Sequence, residues 1–235
     1  MEWPGDKTNE DRRRGEITNF EAKENIAREM AGRLRDGDVV GVGSGSTSFL
    51  TLVALVERAV VREWRFTAIT TSLEMELACH EYGVRTSNLL QQRPDWSFDG
   101  ADEIDGAGNM IKGRGGAMVR ERLVMTSSPE LYAVVDRTKR VDALGERFPI
   151  PVEVMPEALN LVRAHLQESL GASELELRSA HGKDGPVVTE HGNLILDVRF
   201  PLVRPELDAL MSGVPGVVGT GLFVGFSPIV VSDGD

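Results

Sequence analysis

The chain has 235 residues, 41% hydrophobic and 27% charged, with 26 Lys and Arg against 37 Asp and Glu for a formal net charge of −11. That composition fits a globular protein of one large domain or two small ones, and its acidity argues against general binding of a phosphate backbone. A single cysteine (Cys79) excludes an intrachain disulfide, no basic-then-apolar leader is visible, and no apolar run is long enough for a membrane span, which together predict a cytoplasmic protein.

Residues 1–18 are polar, carry Arg12, Arg13 and Arg14 and show no apolar period, which predicts a frayed tail. Over 19–35, Ala22, Ile26, Met30 and Leu34 recur every fourth residue and predict a helix capped by Asn19 and ended by Gly37. An apolar strand over 39–42 opens into the small-residue run Gly41-Val42-Gly43-Ser44-Gly45-Ser46-Thr47, and 50–62 reads as a helix that packs on a sheet. Strands are expected at 66–70, 96–99 and 131–135, with helices at 72–82 and 115–127. This alternation predicts an α/β fold, a doubly wound, mostly parallel, Rossmann-like sheet over 1–147. Past Pro149 and Pro151 the pattern changes to strand 152–154, helix 157–170, strands 174–178 and 193–199, helix 205–211 and strand 217–224. That βαββαβ order predicts a smaller α+β, ferredoxin-like domain over 148–225, with 226–235 returning to the first sheet.

Four segments carry chemistry. Glycines in Gly41–Thr47 let backbone N–H groups and the following helix N-terminus face an anion, with Ser44, Ser46 and Thr47 adding hydroxyl donors. A phosphate fits there, although neither the dinucleotide fingerprint nor a Walker lysine is present, and a turn made small for packing alone reads the same way. Asp99-Gly100-Ala101-Asp102-Glu103-Ile104-Asp105 starts at a strand end. It is open to three readings: an acidic surface turn, a metal site lacking calcium-loop spacing and nearby histidine, or recognition of polyol hydroxyls by Asp99 and Asp102. Lys112-Gly113-Arg114-Gly115-Gly116-Ala117 leads into a helix whose residues Met118, Leu123 and Val124 are apolar. On such a helix Glu121 is either a solvated charge or a half-buried general base. Asp136-Arg137-Thr138-Lys139 closes a further strand. Four strand ends thus deliver hydroxyls, carboxylates, lysines and one candidate base to one edge of a sheet.

At these residues the sequence resembles the type A ribose-5-phosphate isomerase family. The first, second and third runs, then Phe148-Pro149-Ile150-Pro151-Val152-Glu153-Val154, match its signature segments in order, and the likeness extends over about 19–228. The resemblance implies interconversion of D-ribose 5-phosphate and D-ribulose 5-phosphate without metal or organic cofactor, in a cytoplasmic homodimer or homotetramer that binds neither nucleic acid nor membrane. It implies Glu121 as the base of a cis-enediolate mechanism. It also implies Ser44, Gly45, Ser46, Thr47, Asp99, Gly100, Ala101, Asp102, Lys112, Gly113, Arg114, Gly115 and Lys139 as the substrate pocket. The chemistry of such a reaction adds two expectations: Lys112 or backbone N–H groups stabilise the enediolate, and Asp99 serves ring opening. Four residues at three places depart from the family's usual pattern: Ser44 for threonine, Arg114 within an all-glycine run, and Glu190-His191 for Asp-Asn. Two other readings compete. A non-catalytic sugar-phosphate sensor needs a DNA-binding partner that this acidic chain, with about 18 residues before its first helix, does not supply. A CoA-transferase-like enzyme would use Glu121 as a covalent nucleophile.

Overall fold

The structure is a computed structural model describing residues 17–182 and 184–233; of the tail expected over 1–18, residues 1–16 lie outside the described residues. The first half of the chain forms α1 (Phe20–Ala31), β1 (Val39–Val42), α2 (Ser46–Arg62), β2 (Thr67–Thr70), α3 (Leu73–Glu81), β3 (Arg85–Ser87) and β4 (Trp96–Asp99). Next come β5 (Glu103–Ile104), β6 (Met110–Ile111), α4 (Met118–Ser127), β7 (Leu131–Val134) and a 3₁₀ turn at Arg137–Lys139. The remainder forms β8 (Ile150–Val154), a 3₁₀ turn at Pro156–Ala158, α5 (Leu159–Glu168), β9 (Glu174–Leu177), β10 (Leu194–Arg199), α6 (Glu206–Ser212), β11 (Val217–Thr220), β12 (Leu222–Phe223) and β13 (Ile229–Val231).

These elements group into two compact units. Among the described residues, one gathers 17–100, Val124–Thr138 and 229–233; the other gathers Ala101–Leu123 and 139–228. The first holds an all-parallel six-stranded sheet in the order β3-β2-β1-β4-β7-β13. Strands are added outward from β1 on one side and then outward from β4 on the other, which is the Rossmann order. Its core joins Val40, Val42, Phe98, Tyr132 and Val134 of the sheet to Ile26 and Met30 of α1 and Leu52 and Leu55 of α2. Burying each such side chain contributes roughly 1.5–3 kcal/mol.

The second unit has a four-stranded antiparallel sheet in the order β11-β8-β10-β9, with α5 and α6 between its strands in sequence. This is the ferredoxin-like split arrangement. Val162 and Leu166 of α5 and Leu207 and Met211 of α6 cover Val152, Val154, Leu196 and Val198 of the sheet. A small sheet, β12-β6-β5, belongs to the same unit.

Several boundaries differ from the sequence reading for identifiable reasons. Segments 101–123 and 139–147 group with the ferredoxin-like unit, not with the parallel sheet. The carboxylate of Glu103 ties them together by accepting the N–H groups of Gly145 (2.6 Å), Arg147 (2.6 Å) and Phe148 (2.7 Å). Asn19 does not cap α1: its φ of 53° places it in the left-handed region, and its side chain makes no capping bond. Helix α1 closes at Gly32, while Gly37, with φ of 85°, makes the turn into β1. Helix α2 begins at Ser46, four residues earlier than expected, because Gly45 at φ of 87° reverses the chain there. Strands β3, β5 and β6 are too short for any period to announce them. Among the described residues no helix is long and apolar enough to cross a membrane.

Candidate active site

In the parallel sheet the strand order reverses between β1 and β4, and open sheets bind ligands outside the strand C-termini at such a point. Residues 43–47 leave β1 there. Gly43 has to lack a side chain, since a Cβ would sit 2.3 Å from the Asp99 carboxylate carbon. Asp99 Oδ1 accepts the N–H of Ser44 (3.1 Å) and of Gly100 (2.7 Å), so this carboxylate locks the loop. Ser44 Oγ lies 2.7 Å from Thr71 Oγ1 and donates to Ser72 Oγ at 2.8 Å. Ser46 and Thr47 begin α2, whose N-terminal end has no side-chain cap and carries partial positive charge on its first-turn N–H groups. Lys23 reaches the same turn. Its Nζ donates to Ser46 Oγ at 3.0 Å and lies 4.0 Å from Asp136 Oδ2, with side chains only 6% and 2% exposed. A cation, a helix N-terminus and hydroxyls thus gather at one turn, groups of the kind that bind an anion.

The ferredoxin-like unit carries the second set. Lys112 leaves β6 with its N–H on the carbonyl of Gly221 (2.8 Å). Gly113 turns the chain at φ of 93°, where a Cβ would meet Met118 at 2.9 Å. Helix α4 starts at Met118, and Glu121 falls in its first turn. Lys112 and Glu121 are 2% and 5% exposed, and Lys112 Nζ stands 3.6 Å from Glu121 Oε2. Glu121 is thus a buried carboxylate beside a buried cation, not a solvated surface charge, and attraction between charges is stronger in such surroundings than in water. The next residue anchors the helix: Arg122 donates to Asp208 (3.0 and 3.1 Å) and to the carbonyl of Leu222 (2.7 Å), and lies 4.4 Å over the Phe223 ring. Asp102 Oδ2 accepts the Arg114 N–H at 3.1 Å. The side chains of Arg114 and Lys139 lie 5.3 and 5.8 Å from the Phe148 ring centre.

The expected pocket residues therefore fall into two sets. Ser44, Gly45, Ser46, Thr47, Asp99 and Gly100 belong to the parallel unit; Ala101, Asp102, Lys112, Gly113, Arg114, Gly115, Glu121 and Lys139 belong to the other. The expectation of a single sheet edge needs correction, because Lys112 follows β6 of the small antiparallel sheet and Glu121 projects from a helix. The acidic run also resolves. Glu103 is structural, and Asp105 folds its own turn by accepting the N–H groups of Ala107 and Asn109. Three contributors escaped the sequence reading: Lys23, Thr71 and Ser72. Lys23 had a signal, since it falls three and four residues before Ile26 and Ala27, on the buried stripe of α1.

A Rossmann-order sheet with a hydroxyl-rich loop after β1, and a ferredoxin-like unit with a buried Lys–Glu pair, make an α/β protein equipped with groups suited to proton transfer on an anionic substrate. Residues 67–235 match the family model for ribose 5-phosphate isomerase A (phosphoriboisomerase A). The ribose-5-phosphate isomerase A of a Synechococcus species is 43% identical over 222 residues, covering 91% of this chain and 94% of its own. Among solved structures, that of ribose 5-phosphate isomerase A from Methanocaldococcus jannaschii superposes with a TM-score of 0.87 at 35% identity, covering 92% of this chain and 96% of that one. A D-ribose-5-phosphate isomerase in complex with phospho-erythronic acid gives the same TM-score and coverages at 32% identity. The chain belongs to the ribose 5-phosphate isomerase A family.

Proposed function

We infer that this protein interconverts D-ribose 5-phosphate and D-ribulose 5-phosphate, with Glu121 as the base. The observation that carries the assignment is the burial of Glu121 3.6 Å from Lys112 in a chain of this family. An aldose–ketose shift moves a proton between C2 and C1. Glu121 takes the C2 proton of the open-chain aldose, electrons pass to the carbonyl, and a cis-enediolate forms. The O2 hydroxyl proton then moves to O1, and return of the proton from Glu121 to C1 yields the ketose. Charge builds on the former carbonyl oxygen, and Lys112 with the loop N–H groups is assigned to stabilise it. Ser44, Gly45, Ser46 and Thr47, with Lys23, are assigned to anionic and hydroxyl groups of the sugar phosphate, and Lys139 and Arg114 add cations. Asp99, Gly100, Ala101, Asp102, Gly113 and Gly115 complete the substrate contacts, Asp99 also serving ring opening. The relative bound to phospho-erythronic acid, a sugar-acid phosphate, supports a ligand of this class.

On the same reading the reaction belongs to the non-oxidative pentose phosphate pathway and proceeds in the cytoplasm, in a homodimer or homotetramer, without added cofactor. The test is ribulose 5-phosphate formation from ribose 5-phosphate in EDTA, with wild type and Glu121→Gln side by side. Wild-type turnover should survive chelation and fall about 10²–10⁴-fold in the variant. Equal turnover in both would remove Glu121 from the mechanism, and no turnover despite ribose 5-phosphate binding would favour a sensor.

A further inference from the structure

Arg178 follows β9 and is itself held in the sheet: its N–H donates to the Ile195 carbonyl (2.9 Å) and its carbonyl accepts from Val187 (2.8 Å). Its guanidinium, with the side chain 16% exposed, forms a two-pronged pair with Asp197 of β10, Nε to Oδ2 at 2.8 Å and Nη2 to Oδ1. The remaining nitrogen, Nη1, donates to two successive carbonyls of the loop before Glu121, Gly113 O and Arg114 O, each at 2.9 Å. Two neighbouring peptides therefore point their oxygens at one fixed cation.

In a trans peptide the N–H points opposite the C=O. With both oxygens on Arg178, the N–H groups of Arg114 and Gly115 are turned away from it. That of Arg114 is spent on Asp102 Oδ2 at 3.1 Å, which fixes the carboxylate already assigned to substrate. Gly115 is exposed, and its N–H is directed by the same constraint. Within the loop the Gly113 carbonyl also accepts the Gly116 N–H at 3.0 Å; Gly113 and Gly116 occupy φ of 93° and 81°, values glycine is free to leave, so Arg178 adds a second restraint from outside the loop. A charge at the carbonyl ends also polarises both peptides, making their N–H groups better donors.

We propose that Arg178, oriented by Asp197, is a positioning residue for the isomerisation: it sets peptides 113–114 and 114–115 so that Asp102 and the Gly115 N–H meet the sugar as the enediolate forms. The proposal rests on the isomerase assignment above. It is distinct from a role in holding β9 to β10, which would move stability alone.

The experiment uses the full chain and three variants, Arg178→Met, Arg178→Lys and Asp197→Asn, with thermal unfolding followed throughout. For each, kcat and KM for ribose 5-phosphate and the inhibition constant of phospho-erythronic acid are measured; its carboxylate imitates the planar oxygens of the enediolate. Arg178→Met should lower kcat about 10–100-fold, as loss of alignment does, with KM changed less than about 3-fold. Across the variants the inhibition constant should rise in proportion to the fall in kcat/KM, and Arg178→Lys should recover only part, since an ammonium lacks the planar fork that serves both Asp197 and the two carbonyls. If Arg178→Met does not fold, Arg178→Lys and Asp197→Asn carry the same proportionality. Variants within about 2-fold of wild type in kcat/KM, or losses in kcat/KM with an unchanged inhibition constant, overturn the proposal while leaving the isomerase assignment standing. An inactive wild type overturns that assignment and this inference with it.

Discussion

A lysine kept at 5% exposure remains a cation only if the protein itself solvates its ammonium, and Lys23 is placed to have that done by Ser46 and Asp136. Lys23→Met should therefore lower unfolding stability by about 1.5–3 kcal/mol, the range for a hydrogen bond to a charged group. Because the ammonium also lies at the anion loop, KM for ribose 5-phosphate should rise, and its dependence on salt should weaken. Urea unfolding and KM at low and molar salt check both; an unchanged KM would take Lys23 out of the binding loop. The acidic run shows why single residues are hard to read in advance. Four carboxylates within seven positions do four jobs: Asp99 locks the hydroxyl loop, Asp102 holds the Arg114 N–H, Glu103 gathers residues 145–148, and Asp105 closes its own turn. Only the last is decided by neighbours in sequence. The others depend on partners up to 55 residues away, which no local spacing reports.

At the scale of the element, period and turn chemistry located most helices and strands of the parallel unit, since each buries one stripe or both faces in a single core. They failed where one apolar run serves two sheets. The run 217–224 reads as one strand, yet it is two: β11 pairs with β8, and after Gly221 β12 pairs with β6. Gly221 permits the switch because the chain passes closely between two others. A Cβ there would lie 2.2 Å from the Lys112 carbonyl and 2.6 Å from Pro151 Cδ. Gly221→Ala must push back both, and overpacking of this kind costs about 1–3 kcal/mol. The displaced backbone is that of Lys112, whose N–H bonds Gly221 O, so the substitution should lower kcat as well as stability. Urea unfolding and steady-state kinetics on Gly221→Ala test this. Full stability with full activity would mean that the crossing relaxes without cost, and that Gly221 does not set the position of Lys112.

For the whole molecule, the alternation of strands and helices identified the parallel sheet, and the βαββαβ order identified the ferredoxin-like unit. The interleaving of the two along the chain was hidden, because it is set by the paired segments 101–123 and 139–147 and not by any change of composition. Stability against pH is a property of the molecule at this scale, and two groups of the parallel unit's core contribute to its alkaline side. Burial, and next the Glu76 charge, push the Cys79 thiol from the ordinary 9.0 up to about 12. Burial first, then a hydrogen bond with Glu130, also raise the Tyr132 phenol above its usual value, against the lowering effect of Arg33. In the unfolded chain the thiol ionises near 9, while in the fold it keeps its proton. Between those values the folded state binds more protons, so the stabilisation is complete below pH 9 and is lost as pH rises toward 12. The slope for one such group is about 1.4 kcal/mol per pH unit. Tyr132 adds a loss of the same sign above its own ordinary range. Cys79→Ala lacks the first group, so its stability should decline less steeply than that of wild type above pH 9, by about that slope. Urea unfolding of both proteins from pH 7 to 10.5 measures the difference, and parallel curves would mean that Cys79 ionises in the folded protein. The same proton makes the native thiol a poor nucleophile, so iodoacetamide at pH 8 should label Cys79 in urea and leave it intact in the folded enzyme.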